Sequence, residues 1–450
     1  MTGLRVELRR STALWAGLLV LVSGTGMLLL ITSGSTWWAG NSTSAVLLLR
    51  LPLAYVWALV VGLAVFQGMR DSRAGVTELF AATSRPGWVR LGTLATAVAG
   101  TVAVAGALLC AGLVAKVALG GGFVSIGFVP LMVTVVLALA SSVLLGLAVG
   151  RLLPHPLTAP VALVATFMLA TTAGRALEVR EPGDEISRLA LLTPVLDPPS
   201  SDLVTTSTSV DLGQVVWFTG LGVTAFLLLV ARTHLGRLTA LVPAGLAVAL
   251  ALAIMPVKYS DVLVTDSIAG KLVCDDEVCV SQVHAAGLPT VAAAGRKALA
   301  KLAVLPGAPT EVREDTSAMA HLTVPQRDQR IVYLPSQGRP RVLTMTEDQV
   351  RLEMLAGAGV PTCSPPNTFD TYGAVVRYVT AGYFNGELAE LPSDSLMWSS
   401  SRMRAEIDEA WQRFRGQSPD EQLDRVTRVR QMLLTCQDSE RVLDVLKAGR

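Results

Sequence analysis

From Thr12 to Pro256 the chain runs in apolar blocks of helical length separated by short polar loops, whereas beyond Pro256 apolar and polar positions interleave as in a water-soluble domain. A helix satisfies every peptide group locally, and about 20 apolar helical residues cross a bilayer core of about 30 Å. Seven blocks reach that length: Thr12–Thr32, Ala45–Met69, Leu91–Leu119, Ile126–Leu152, Leu157–Ala173, Gln214–Ala231 and Leu238–Pro256. Pro154 and Pro156 leave only a tight connection between the fourth and fifth, which predicts a hairpin of those two. The first block, behind Arg5, Arg9 and Arg10, also has the order of a secretory signal. Its apolar run exceeds the usual length of about 7 to 15 residues, and no small-x-small cleavage site follows, so it reads as a span.

The chain therefore divides into a transmembrane domain, residues 1–256, and a second domain, residues 257–450. The second opens with a short β section, followed by a helix over Leu288–Leu305 that Pro306-Gly307-Ala308-Pro309 ends. Alternating segments around Met319–Val324 and Arg330–Leu334 come next, then helices over Thr346–Ala356, Tyr372–Glu390, Arg402–Arg415, Pro419–Cys436 and Ser439–Lys447. Ser418-Pro419-Asp420-Glu421 is the best-marked helix start: serine caps, proline fits the first turn, and glutamate reaches back to the capping amide. The expected fold class is an α-helical polytopic membrane protein of six to seven spans with a C-terminal, mainly helical α+β extracytoplasmic domain.

Charge sharpens this division. Only 16% of residues are charged and 51% are hydrophobic, against about 25% charged in soluble proteins. The net charge of +2 hides how charge is concentrated after Lys258, and it points to no nucleic-acid partner. Short loops with Arg and Lys stay on the cytoplasmic side during insertion. Arg5, Arg9 and Arg10, then Arg70, Arg73, Arg85 and Arg90, then Arg151, then Arg232 and Arg237 all fall on one side if the spans alternate. The loops Ser33–Ser44 and Gly120–Ser125 on the other side carry no charge. The expected topology in the cell membrane is a cytoplasmic N-terminus and an extracellular C-terminal domain. Trp37, Trp38 and Trp217 then lie near the outer interface, and Trp15 and Trp88 near the inner one. Frequent Arg, Ala, Val, Leu and Gly fit a GC-rich bacterium.

Cys110 sits inside the third span, whereas Cys274, Cys279, Cys363 and Cys436 all lie in the part assigned to the oxidising side, where disulfides persist. Four cysteines permit three pairings. Cys274 with Cys279 is favoured, because Asp275-Asp276-Glu277 between them reads as a hairpin turn, and this leaves Cys363 with Cys436. Reduced thiols or a metal site are the alternatives. A zinc site lacks CxxC spacing, and His284 and His321 lack ligand-pair spacing, so no metal is assigned.

No GxxxxGK[ST], HExxH or GxSxG occurs, so ATP hydrolysis by this chain, zinc proteolysis and serine hydrolysis have no anchor. His155 and His234 fall in cytoplasmic turns, and the Asp275–Glu277 cluster reads as a solvated turn. Charges within spans are costly, and two stand out, Arg50 near the outer end of the second span and Lys116 near that of the third. Both are read as snorkelling to the interface, with a substrate path as the functional alternative. No carboxylate lies deep in a predicted span, which disfavours a proton-coupled carrier.

The loop Met69–Arg90 joins helix-compatible residues Ala74–Thr83 to a Pro86-Gly87 stop, a short surface helix suited to being gripped by another protein. Arg73, Gly75, Thr77, Glu78, Leu79, Ala82 and Thr83, with Phe80 among them and Arg85 after them, resemble the loop after the second span in permease subunits of type-2 ABC exporters. The resemblance covers Met1 to Ala231. The family commonly has six spans, and most members lack a large outer domain. Cys274–Val280, with the His284–Pro289 and Leu305–Pro309 segments after it, also looks like the tail of actinobacterial membrane proteins of this type. The resemblance implies that the loop is a coupling helix docking on a separate cytoplasmic ATPase, with Glu78 in the contact. It implies a homodimer or heterodimer of permeases in the lipid bilayer, no cofactor bound directly, and ATP hydrolysed by the partner. The expected function is export of an amphipathic or peptide-like solute by a non-enzymatic transport subunit. The alternative is a membrane-anchored extracytoplasmic binding or sensor protein, and a membrane-embedded enzyme is a third reading without a visible catalytic set.

Overall fold

A computed structural model describes residues 13–32, 37–75, 87–177, 185–197, 201–316, 327–335, 345–363, 371–436 and 441–447. The chain forms two compact units, Met1–Pro199 with Val204–Val264, and Ser200–Leu203 with Thr265–Arg450.

The first unit is helical: α1 (Ala13–Thr32), α2 (Ser42–Leu48), α3 (Leu53–Gly68), α4 (Gly87–Leu119), α5 (Phe128–Leu152), α6 (Thr158–Ala176), α7 (Thr208–Val230), α8 (His234–Thr239) and α9 (Val242–Ile254). Among the described residues six helices, with α8 and α9 together as one, are long and apolar enough to cross a membrane, and the bent pair α2–α3 raises the number to seven. By length and composition this is a multi-pass membrane protein.

The span expected as continuous over Ala45–Met69 is broken, its two halves bent by 54°. Pro52 has no N–H and its ring excludes a regular turn behind it. The preceding residues tighten instead, with Leu49, Arg50 and Leu51 each donating to the carbonyl three positions back. At its start, α2 is capped by Asn41, whose side chain accepts from the Thr43 amide at 3.1 Å. The two charge-free loops meet there, through Phe123 N to Gly40 O at 2.7 Å and Ser42 N to Phe123 O at 3.0 Å.

Helix α5 is the centre of this unit, packed on α3, α4 and α7. Its Gly146 and Gly150, spaced four apart, bring it against α3: a Cβ on Gly146 would lie 2.8 Å from Val61 O, and one on Gly150 would collide with Val65 O. Apolar lipid offers helices no hydrophobic drive to associate, so close backbone approach at small residues supplies the contact. The expected α5–α6 hairpin is corrected. α6 packs chiefly on α3, where Gly62 admits Leu163 and the Tyr55 and Phe167 rings lie 5.2 Å apart. α7 begins at Thr208, six residues before the predicted span, and so carries Asp211 in its first turn, where a carboxylate complements the helix dipole. Two short strands, β1 (Val204–Thr206) and β2 (Leu263–Thr265), pair beside it.

The second unit holds a four-stranded sheet, β3 (Leu272–Asp275), β4 (Val278–Ser281), β5 (Glu311–Asp315) and β6 (Ile331–Pro335), in that spatial order. β3–β4 is an antiparallel hairpin, and β4–β5 and β5–β6 are parallel. Helix α10 (Leu288–Leu302) makes the β4–β5 crossover, with Gly295 over Val278 and Val312. Helices α11 (Glu347–Leu355), α12 (Thr371–Asn385), α13 (Ser401–Arg415), α14 (Pro419–Thr435) and α15 (Val442–Lys447) follow the expected ranges closely. A single core joins sheet and helices, from Val280 and Val332 to Phe414 and Leu433. β5 was not expected, and the alternating segment Met319–Val324 lies outside the described residues.

Candidate functional site

Arg50 sits in the α2–α3 break and is wholly buried, which corrects the expectation that it snorkels. Its Nε donates to the Pro194 carbonyl at 2.9 Å and its Nη2 to the Gln214 side-chain oxygen at 2.6 Å. Gln214 in turn donates to the carbonyls of Leu191 at 2.7 Å and Thr193 at 3.0 Å, so its amide is fully used. Among the described residues Nη1 of Arg50 has no hydrogen-bond partner. Asp211, whose carboxylate accepts from Thr206 Oγ1 at 2.6 Å, is an opposing charge within electrostatic reach. The break, the 188–195 segment and α7 are thus gathered by one guanidinium. Lys116 is engaged separately, its ammonium 4.8 Å from the Trp38 ring centre. Trp38 is only 4% exposed and packs inside, whereas Trp15 and Trp88 are exposed.

Of the loop residues that carry the exporter resemblance, Arg73 and Gly75 are described; Thr77, Glu78, Leu79, Phe80, Ala82, Thr83 and Arg85 lie outside the described residues. Arg70–Arg73 forms one helical turn after α3, and the Arg73 guanidinium lies 4.5 Å from the Phe66 ring centre. Asp71 bridges to Arg90 at 2.8 Å, joining the two rims of the loop.

Both expected disulfides are present. Cys274 and Cys279 are direct partners across the β3–β4 hairpin, and Cys363 bonds Cys436 over a separation of 73 residues. The acidic turn between the first pair is not simply solvated: Arg296 contacts Asp275 at 2.9 Å, Glu277 at 3.5 Å and Asp276 at 3.7 Å.

The most structured polar cluster escaped the sequence reading. His284, in the turn after β4, is buried with Nδ1 2.6 Å from Glu314 on β5 and Nε2 3.0 Å from Asp202. The Ser281 amide donates to the other Glu314 oxygen at 2.6 Å, and the Ser281 hydroxyl lies 3.1 Å from Nδ1. Burial works against a charged ring, but the Asp202 and Glu314 carboxylates outweigh it and push the imidazole up to about 10. Serine, histidine and carboxylates are therefore together without the chemistry of a triad, because a ring with both nitrogens protonated has no acceptor for the serine proton. Nor has it a lone pair for a metal. The cluster is a charge lock that ties Ser201–Leu203 to the sheet, beside the Asp266 amide bond to Leu203 O at 2.8 Å. Its signal in the sequence was slight: Glu314 at an inward strand position, and an aspartate after Pro198-Pro199.

No protein-family model, curated protein or solved structure matches this chain.

Proposed function

We propose that the chain is the permease subunit of an ABC-type exporter, moving an amphipathic or peptide-like solute with energy from a separate ATPase. The observation that carries the reading is the Met69–Arg90 loop, whose Arg73, Gly75, Thr77, Glu78 and Leu79 follow the coupling-loop pattern of type-2 ABC permeases. The Asp71–Arg90 ion pair supports it, since a loop pinned at both rims transmits a push to α3 and α4 together. The absence of a phosphate-cradling motif from the full sequence makes a partner ATPase necessary on this reading. The loop then faces the cytoplasm, and the disulfide-bonded unit lies outside, where it caps the exit or recognises cargo. Two such subunits, identical or different, complete the pathway, and repacking around Arg50 in the broken span is the step that opens it.

The test is purification of the full chain from its native membrane in mild detergent, with mass spectrometry of what remains bound. The wild type is expected to retain an ABC ATPase, and Glu78→Lys to lose it while eluting as the same folded species. Unchanged ATPase retention by Glu78→Lys sinks the coupling role. The C-terminal unit, with a core and two disulfides of its own, favours a second reading: a membrane-anchored receptor for an extracellular ligand. On that reading the wild type brings down no ATPase.

A further inference from the structure

Arginines from separate helices and the connection after α7 converge at one end of the membrane unit. Arg151, at the end of α5, lies within electrostatic range of Arg90 on α4 and of Arg232 and Arg237 after α7, and among the described residues the carboxylate in this neighbourhood is Asp71. Asp71 is already engaged by Arg90 at 2.8 Å and Arg70 at 3.5 Å. Among the described residues, Arg151, Arg232 and Arg237 make no ion pair. The Arg232 guanidinium also lies against Gly87, where any Cβ would collide with it, and so occupies the first turn of the 33-residue α4. A helix N-terminus is itself the positive end of the backbone dipole. Like charges crowded there repel, and Arg151 and Arg90, which are partly buried, are poorly screened by salt. An anion relieves that repulsion.

The surroundings specify which anion. Trp88, two residues before Arg90, is 63% exposed, and Leu235 and Leu238, either side of Arg237, are 73% and 65% exposed, so apolar and aromatic side chains flank the arginines along the chain. α8 has no buried residue and presents Arg237 beside these leucines. A soluble acidic protein would cover the charges and leave this apolar rim in water, whereas a lipid supplies acyl chains for the rim and a phosphate for the guanidiniums. We propose that Arg151, Arg232 and Arg237, with Arg90 at the edge, form a binding site for the phosphate headgroup of an anionic membrane lipid. The inference rests on the membrane character of the helices and is independent of the exporter reading.

The full chain in mild detergent is titrated with phosphatidylglycerol or with phosphatidylcholine of the same acyl chains, and retained lipid is read by native mass spectrometry. At roughly a factor of five per arginine near a headgroup, wild type is expected to prefer phosphatidylglycerol by at least about tenfold. The Arg151→Gln/Arg232→Gln/Arg237→Gln variant is expected to lose that preference while still retaining phosphatidylcholine. The corresponding triple lysine variant keeps the charge and is expected to keep most of the preference. If the neutral triple variant does not elute as a folded species, Arg237→Gln alone, on the exposed α8, is expected to lower the preference severalfold. Equal retention of both lipids by the wild type overturns the proposal, and so does an undiminished preference in the folded neutral variant. Complete displacement of phosphatidylglycerol by millimolar inorganic phosphate overturns it too, since the site would then hold a free anion.

Discussion

Two arginines withdrawn from solvent, Arg50 wholly buried in the membrane unit and Arg377 largely buried in the C-terminal unit, meet the same difficulty in opposite ways. Arg377 lies between carboxylates, 2.5 Å from Glu353 and 2.8 Å from Asp394, both within 24 residues in sequence. Burial alone would weaken its hold on the proton, but the two carboxylates more than offset that and hold the proton more firmly than usual. Arg50 has dipoles as direct partners, a carbonyl and an amide oxygen 144 and 164 positions away. A charge neutralised on the spot stiffens its own neighbourhood; a charge solvated by dipoles must collect them from distant segments, and so staples the chain. Arg430 shows that the distinction follows from the partners and not from the unit. It lies among the carbonyls of Ala358, Gln329 and Ile331, 72 to 101 residues away, and burial lowers its guanidinium to about 10.

Removing a local ionic partner should do the most damage, because it leaves an uncompensated charge inside. Glu353 accepts from Arg377 at 2.5 Å and from the Ser393 amide and hydroxyl at 2.8 and 2.9 Å. Glu353→Ala is expected to destabilise the C-terminal unit by about 3–5 kcal/mol. Hydrogen exchange of the full chain should show it as faster exchange over 371–400, with the membrane helices unaffected. The Glu353→Met/Arg377→Met double variant should recover much of the loss. Unchanged exchange in Glu353→Ala would remove the contrast with Arg50.

The His284 lock is a second local ionic device, and it can be broken by pH alone. Its ring titrates near 6.5 when free and is raised to about 10 in the fold. A raised basic group stabilises fully below the free value, loses that stabilisation as pH climbs, and has lost it above about 10. The loss is expected to reach about 3 kcal/mol, at the low end for a broken buried pair because the neutral ring keeps one N–H bond. Proteolysis of the full chain near Asp202 and over β5 should therefore accelerate between pH 7 and 10. His284→Gln should flatten that dependence. An identical pH profile in wild type and variant would show that the ring carries no charge in the fold.

The legibility of these features in the sequence follows the same division. Apolar blocks announce spans because a bilayer demands about 20 residues of one character, and the hairpin cysteines announced their bond through the turn between them. β5 was hidden because Glu311-Val312-Arg313-Glu314-Asp315 has one apolar residue, its second inward position being the carboxylate that holds His284. A buried partnered charge erases the alternation by which a strand is recognised. The break at Pro52 was hidden by its apolar neighbours, and Arg50, read as an end-of-span charge, proved to lie buried in that break with Pro194 and Gln214 as partners. Helix starts show the same limit: Ser418 caps as read, yet Glu421 turns to Arg425 at 2.7 Å, while the reciprocal box belongs to Thr346 and Gln349, which went unremarked.

The dipole-held arginine yields the smallest and most distributed expected effect, and its fingerprint is where the loosening falls. Gln214 is the hub: one side chain accepts from Arg50 and donates to Leu191 O and Thr193 O. Gln214→Leu has similar bulk but strands all three, and a stranded buried polar group costs about 1–3 kcal/mol where nothing replaces the lost bond. Relaxation of the 188–195 segment should relieve part of this, leaving a net loss of about 2 kcal/mol. Hydrogen exchange should rise over 188–195 and around the α2–α3 break together, although the two lie far apart in sequence, while 371–400 stays protected. Gln214→Glu sharpens the contrast further, because it gives Arg50 a carboxylate and takes both carbonyls' donor away. If Arg50 needs only neutralisation, the break should stay protected in Gln214→Glu and 188–195 alone should loosen. If both segments loosen as in Gln214→Leu, the shared amide, and not the charge, holds this part of the membrane unit together.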